Sequence, residues 1–262
     1  MNRKRFHWKD RERDLRGVKR YGKFPVMFYR TDLSIHSRRV ELLLESFIAL
    51  AEKLYPGFDA RKARLIARHH DDYELQPIGD IPLQLKLQMG EEQLSELENR
   101  EIQAAEEMAR SYPRTVGEYR YLELLLHAIR KDCKEAQLVS VADKFDGLCE
   151  ALHEVLAGNI IFVEAVINYF TKTLCTMSDR YPLIGGMFSN GHELLSVPVV
   201  GLYEYFEAGA RCAQPHTEMN VTRKTGIPVY ETWKLLTKTK IGIEPLICQT
   251  EFYEPDLSEV QV

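Results

Sequence analysis

From His36 onward, Val40, Leu43, Leu44, Phe47, Ala51 and Leu54 recur at three- and four-residue steps. That spacing describes the apolar face of one helix, which stops at Tyr55-Pro56-Gly57. Asp59 is suited to cap a second helix, whose buried stripe runs through Ala63, Ile66, Ala67 and His70. A loop with Pro77, Gly79 and Pro82 follows. Residues 91–110 read as a long charged helix closed by Pro113. Residues 119–131 and 135–156 read as two more, the second ending at Gly158-Asn159, and residues 160–177 as a further apolar helix. Strand-like alternation is nearly absent over this stretch, so the predicted core is an all-α bundle.

After about Asp179 the pattern changes. Gly185-Gly186, Pro198, Pro215, Gly226 and Pro228 cut the chain into short pieces. One helix is expected over residues 192–208, and short strands or irregular structure after Gly226. The chain thus divides into a basic leader (1–14), a helical domain (15–178) and a C-terminal extension of mixed or irregular structure (179–262) whose role the sequence does not assign.

Composition changes this picture little. The chain has 262 residues, 45% of them hydrophobic and 28% charged, with a formal net charge of -4. A globular core is affordable at that length, and no global attraction for nucleic acid or anionic membrane is expected. In the leader Asp10, Glu12 and Asp14 interleave the Arg and Lys residues, as helical ion pairs would, so it reads as a solvated end or an amphipathic first helix. No run approaches the roughly 20 apolar residues of a membrane span, and the N-terminus lacks the apolar core of a signal peptide. Five widely spaced cysteines without a CxxC pair argue against a disulfide framework or zinc knuckle. A cytoplasmic protein is expected, and the sequon at Asn220 carries no weight.

The chemistry enters through two histidines on apolar stripes. His36 opens the first stripe and His70 closes the second, with Asp71 directly after it. Side chains at helix ends can converge on a cavity without an intervening turn. Imidazole and carboxylate together suit one divalent transition ion such as Mn, Co, Fe, Ni or Zn, with Mg as an alternative. Asp143 is the natural further ligand, because it lies in an otherwise apolar helix where an unpaired carboxylate is costly to bury.

The order His36, His70-Asp71, Asp143 resembles the H…HD…D signature of the HD superfamily. The flanking residues resemble its 5′-deoxynucleotidase branch and the oxetanocin-phosphohydrolase relatives. Arg20-Tyr21-Gly22 and His36-Ser37 look like the start of that branch, and His70-Asp71-Asp72-Tyr73-Glu74 like its HDxxE. Gly79-Asp80-Ile81-Pro82 with Lys86 resembles its GD(L/I)P…K loop, and Glu135-Ala136 with Val141-Ala142-Asp143-Lys144 its last motif, followed by Gly158-Asn159. The likeness spans about residues 15–165. Ile35 stands where the branch usually has an acidic residue, and the loop between Glu74 and Gly79 is one residue longer.

The resemblance implies an HD-domain helical bundle that binds one metal through His36, His70, Asp71 and Asp143. It makes Glu74 the group that positions or deprotonates the attacking water, and Asp80 a second acid/base or orienting group. Arg20 matches the phosphate-contacting arginine and Tyr21 the aromatic residue against the sugar; Lys86 is a further cationic candidate. The expected activity is that of a phosphomonoesterase on nucleoside 5′-monophosphates, deoxynucleotides among them, working as a homodimer on a small nucleotide phosphate. The alternatives are hydrolysis of nucleoside triphosphates or guanosine tetraphosphate, and a non-catalytic HD-fold scaffold. His69, which points about 100° from His70 on a helix, reads as a packing residue or one that supports the ligands from behind, and His127 and His153 read as structural. Asp72 and Asp146 lack the additional histidines that a second metal needs.

Overall fold

The computed structural model describes residues 6–21, 31–156 and 177–187, together with Phe162 and Ala165. Gly22, Gly158-Asn159, nearly all of the expected helix over 160–177 and everything after 187 lie outside the described residues.

A 3-10 turn at Trp8–Asp10 leads into the short helix α1 (Arg11–Arg16). Helix α2 (Leu33–Leu54) begins at Asp32, whose side chain accepts from Ile35 N at 3.1 Å. This cap satisfies one of the N–H groups that a helix start leaves unpaired. The chain leaves α2 at Tyr55 and turns through Gly57, whose φ of +79° suits a residue without a Cβ. Helix α3 (Ala60–His69) has the expected cap, Asp59, accepting from Lys62 N at 2.9 Å. Asp59 is itself anchored through its N–H to Glu135 at 3.0 Å.

After α3 a single 3-10 turn, Asp72–Leu75, continues the chain past the helix end. Helix α4 (Leu83–Lys86) and the long helix α5 (Glu91–Ser111) follow. Helices α6 (Tyr121–Arg130) and α7 (Lys134–Leu156) complete the described bundle. The turn Met177–Arg180 and the 3-10 segment Pro182–Met187 pack back on it.

Two features depart from the sequence pattern. Thr115–Val116 and Tyr119–Arg120 form an antiparallel hairpin, with Gly117 at φ +61° in the turn. Tyr119 and Arg120 are therefore strand residues, and the helix expected from 119 starts at Tyr121. Its other end also falls short: Lys131 is no longer helical but left-handed, at φ 53° and ψ 39°.

Helices α2, α3 and α7 enclose the main core, with Leu43, Leu44, Ile66, Leu138, Ala142 and Leu148 fully buried. Each such Leu or Ile contributes roughly 2 kcal/mol by leaving water, and truncation to Ala costs about 2–5 kcal/mol once the cavity is included. A second cluster joins α5 and α6 to the 3-10 turn through Tyr73, Leu75, Met108, Tyr121 and Leu125. Phe6 and Leu15 of the N-terminal segment are buried in it. Among the described residues no helix is long and apolar enough to cross a membrane.

Candidate metal centre

The three helices of the main core deliver their polar residues to one point. His36 lies in the first turn of α2, His70 is the C-cap of α3, and Asp143 lies midway along α7. Asp71 follows His70 in a non-helical conformation, so two consecutive side chains both reach the cluster. His36 Nε2 is 3.1 Å from His70 Nε2, 3.2 Å from Asp71 Oδ2 and 3.3 Å from Asp143 Oδ1. His70 Nε2 is 3.3 Å from Asp71 Oδ2.

These separations fit a cation. Ligand atoms about 2.1 Å from one ion stand roughly 3.0 Å apart at octahedral right angles and roughly 3.4 Å apart in a tetrahedron. The protons point the same way. His70 Nδ1 faces the Ala67 carbonyl at 2.7 Å, and His36 Nδ1 faces Asp146 Oδ2 at 2.5 Å. Both partners can only accept, so both Nδ1 atoms carry hydrogen and each neutral ring turns an Nε2 lone pair inward. Two lone pairs and two carboxylate oxygens then face one another, an arrangement that calls for positive charge.

The titration behaviour expresses that demand as a proton. Burial and the Arg20 charge act to lower the His36 pKa, yet Asp146 and Asp143 outweigh them and raise it to about 10. Burial holds His70 down instead. Asp71 stays below the usual carboxylate range despite burial, because His70 and His36 face it, and Asp143 does so beside Lys144 and His36.

The cluster opens into a pocket of about 370 Å³, within the range of small-molecule sites. Arg20, Tyr21, Glu74, Asp80 and Lys86 line it together with His70, Asp71 and Asp143, while His36 is fully buried against the last three. Glu74 is buried, and among the described residues its Oε2 has no hydrogen-bond partner. Burial, followed by the charges of Asp71 and Asp80, raises its pKa well above the usual carboxylate value, against Lys86 and Arg20. Burial also raises Asp80, although Arg20 and the Tyr21 N–H, which donates to Asp80 Oδ2 at 2.8 Å, pull it down.

Arg20 donates through Nε to Glu150 at 3.1 Å and keeps an NH1 to Asp71 distance of 3.9 Å. Tyr21 packs edge-on against Phe162, and its hydroxyl donates to the Gly147 carbonyl at 3.1 Å. Lys86 pairs with Glu101 at 2.9 Å.

Behind the donors lies a layer to which sequence reading gave no part, since it weighed Asp146 only for a second metal and passed over Arg39 and Glu150. Arg39 donates to Asp146 Oδ1 at 2.7 Å and to Glu150 at 3.2 Å, and Thr31 also bonds Glu150. Glu150 thereby joins Arg20 to the Arg39–Asp146–His36 chain. The signal was present as spacing: Asp143, Asp146 and Glu150 recur at three and four residues on one face of an apolar helix, opposite an Arg one turn after His36. His69 behaves as the sequence reading expects: it packs against the Trp8 ring, and its Nδ1 meets Asp72 Oδ2 at 3.0 Å, beside the candidate ligand Asp71.

The model of the 5′-deoxynucleotidase YfbR-like family matches residues 11–180. The chain belongs to that family. Membership places it among phosphohydrolases, as the motifs around His36, His70-Asp71 and Asp143 lead one to expect. Among solved structures the chain is similar to an HD-domain phosphohydrolase from Listeria innocua, at 23% identity and a TM-score of 0.53, over 83% of this chain and 97% of that one. That likeness shows an HD-domain fold. A conserved hypothetical protein from Pyrococcus furiosus is similar at 24% identity and a TM-score of 0.49, over 66% of this chain and 91% of that one. No curated protein matches the chain.

Proposed function

We propose that the protein is a metal-dependent phosphomonoesterase releasing phosphate from nucleoside 5′-monophosphates, deoxynucleotides among them. The observation that carries this reading is the approach of His36 Nε2 to His70 Nε2, Asp71 Oδ2 and Asp143 Oδ1 at 3.1–3.3 Å, next to a pocket lined by a buried Glu74 whose Oε2 has no hydrogen-bond partner among the described residues. The family's name supports the nucleotide class.

His36, His70, Asp71 and Asp143 would hold one divalent ion of the Mn, Co, Fe, Ni or Zn group, with Mg an alternative. Such an ion supplies an acidified water and polarises a phosphoryl oxygen. Glu74, its pKa raised by burial and its carboxylate neighbours Asp71 and Asp80, accepts in its ionised form the proton of the attacking water. Arg20 offers the edge not taken by Glu150 to a phosphate oxygen. Asp80 fixes the Tyr21 backbone and, being raised in pKa, can return a proton to the leaving oxygen. Tyr21 forms the wall against which the sugar would lie.

Phosphate release from nucleoside 5′-mono-, di- and triphosphates, with Mn, Co or Mg and with chelator, tests this directly. Metal-dependent release of inorganic phosphate from the monophosphates, abolished by chelator, is expected. Preferential release of pyrophosphate or triphosphate would overturn the monoesterase assignment.

A further inference from the structure

Among the described residues only two that are not glycine adopt a positive φ: Tyr21 at 52° and Lys131 at 53°. They lie far apart in sequence, and both line the pocket beside the metal-ligand cluster. Left-handed backbone is unfavourable for any residue with a Cβ, and residues kept in it concentrate at functional sites. Lys131 closes α6, at a position where glycine is the common choice. Its N–H donates to the His127 carbonyl at 2.8 Å, and its own carbonyl accepts from Gln137 Nε2 at 3.0 Å. The conformation is thus pinned from both sides, and what a glycine could not supply there is the ammonium group.

That ammonium is poorly compensated. Nζ donates to the Ile129 carbonyl at 3.1 Å, and among the described residues no carboxylate comes within ion-pairing distance. The two nearby acids are engaged elsewhere, Glu101 by Lys86 at 2.9 Å and Asp143 by Lys144 at 2.5 Å. Burial first, then repulsion from Lys144 and Lys86, push the Lys131 ammonium down to about 8, against the attraction of Glu101 and Asp143. Three ammonium groups on one pocket wall, one of them without a counter-ion, form a site whose missing component is an anion.

Under the function proposed above, on which this inference rests, the reacting phosphate belongs beside Arg20 and the metal-ligand atoms. We propose that Lys131, with Lys86 and Lys144, forms a second anion subsite, which takes a further phosphate of a nucleotide substrate. That phosphate can sit on the sugar 3′-oxygen or extend the 5′-chain.

The test compares deoxynucleoside 5′-monophosphates, 5′-diphosphates and 3′,5′-bisphosphates on wild type, Lys131→Gly and Lys131→Met, with KM and kcat separated. Calorimetric titration of the metal-loaded protein with the same nucleotides runs in parallel. Wild type should show a KM at least 10-fold lower for one doubly phosphorylated nucleotide than for the monophosphate, and which one gains locates the second phosphate. Both variants should raise that KM by at least 10-fold more than they raise the monophosphate KM. Lys131→Gly should do so without a fall in melting temperature, because it relieves the left-handed backbone; a structural capping role predicts no selective KM change. Equal KM values across the panel in wild type, or equal losses across it in the variants, overturn the subsite. If no nucleotide releases phosphate, the hydrolase reading fails, and calorimetry still decides the subsite: selective binding lost in Lys131→Gly supports it, and unselective binding sinks it.

Discussion

His36 and Asp146 share a short, fully buried hydrogen bond from Nδ1 to Oδ2, at 2.5 Å. The bond fixes the His36 tautomer and turns its Nε2 lone pair toward His70, Asp71 and Asp143. Arg39 holds the same carboxylate from the other side at 2.7 Å, so Asp146 cannot rotate away. A carboxylate behind a ligating histidine orients the ring and raises its basicity, and its loss typically lowers metal affinity about 10–100-fold. Asp146→Asn should therefore weaken Mn or Co binding by roughly that factor in a metal titration. Affinity equal to wild type would show that the bond serves folding alone.

Glu74 should separate metal binding from turnover. Glu74→Gln keeps the volume but removes the proton acceptor, so metal content by elemental analysis should remain at wild-type level. Turnover should fall by about 100-fold or more, the usual contribution of a positioned general base. Full activity in this variant would remove Glu74 from the mechanism.

The pH dependence follows from the same carboxylate. Only ionised Glu74 accepts a proton, so kcat/KM should fall as pH drops through its raised pKa. Burial, Asp71 and Asp80 are what raise it. Asp80→Asn deletes one of those like charges, lowers the Glu74 pKa, and should move the acid limb of the profile to lower pH while lowering the plateau. A limb that stays in place, or moves to higher pH, would assign it to another group.

Metal and stability should be linked. Four inward-facing donor atoms are tolerated more easily around a cation than without one. Saturation at 100 times the dissociation constant stabilises the native state by about 2.7 kcal/mol. In a domain of this size that corresponds to a rise in melting temperature of roughly 5–10 °C. Scanning calorimetry with metal and then with chelator reads the difference, and Asp71→Ala should show no response to either.

The parts of the fold that were legible in the sequence are those encoded locally. The stripe from His36 to Leu54 and the Asp59 cap repeat within one or two turns, so periodicity alone locates α2 and α3. The hairpin at 115–120 has two-residue strands, too short for alternation to register. Lys131 looked helical because its side chain fits the pattern; its backbone is set by Gln137 and His127. The donor set stood out because His and Asp are rare on apolar stripes. Arg39, Asp146 and Glu150 were harder to see, since each charge alone reads as costly and only the folded α2–α7 contact shows that they cancel.

The N-terminal segment gives the clearest case of a contact that no local pattern encodes. Arg11 reaches Asp72 across 61 positions, with Nε 2.9 Å from both carboxylate oxygens and NH2 2.5 Å from the Arg68 carbonyl. Asp72 is buried and also receives the Tyr121 hydroxyl at 2.8 Å, while Arg11 and His69 hold its pKa down against the effect of burial. It directly follows the candidate ligand Asp71, so Arg11 clamps the end of α3 where the donors emerge. Removing one partner of a buried pair leaves a charge without compensation, at a cost of about 3–5 kcal/mol. Arg11→Ala should lower the urea midpoint accordingly, with the lower figure favoured because His69 and Tyr121 still serve Asp72. Adding Asp72→Asn removes the stranded charge, so the double variant should be more stable than Arg11→Ala alone. Additive losses in that cycle would mean that the two side chains are near each other without stabilising each other.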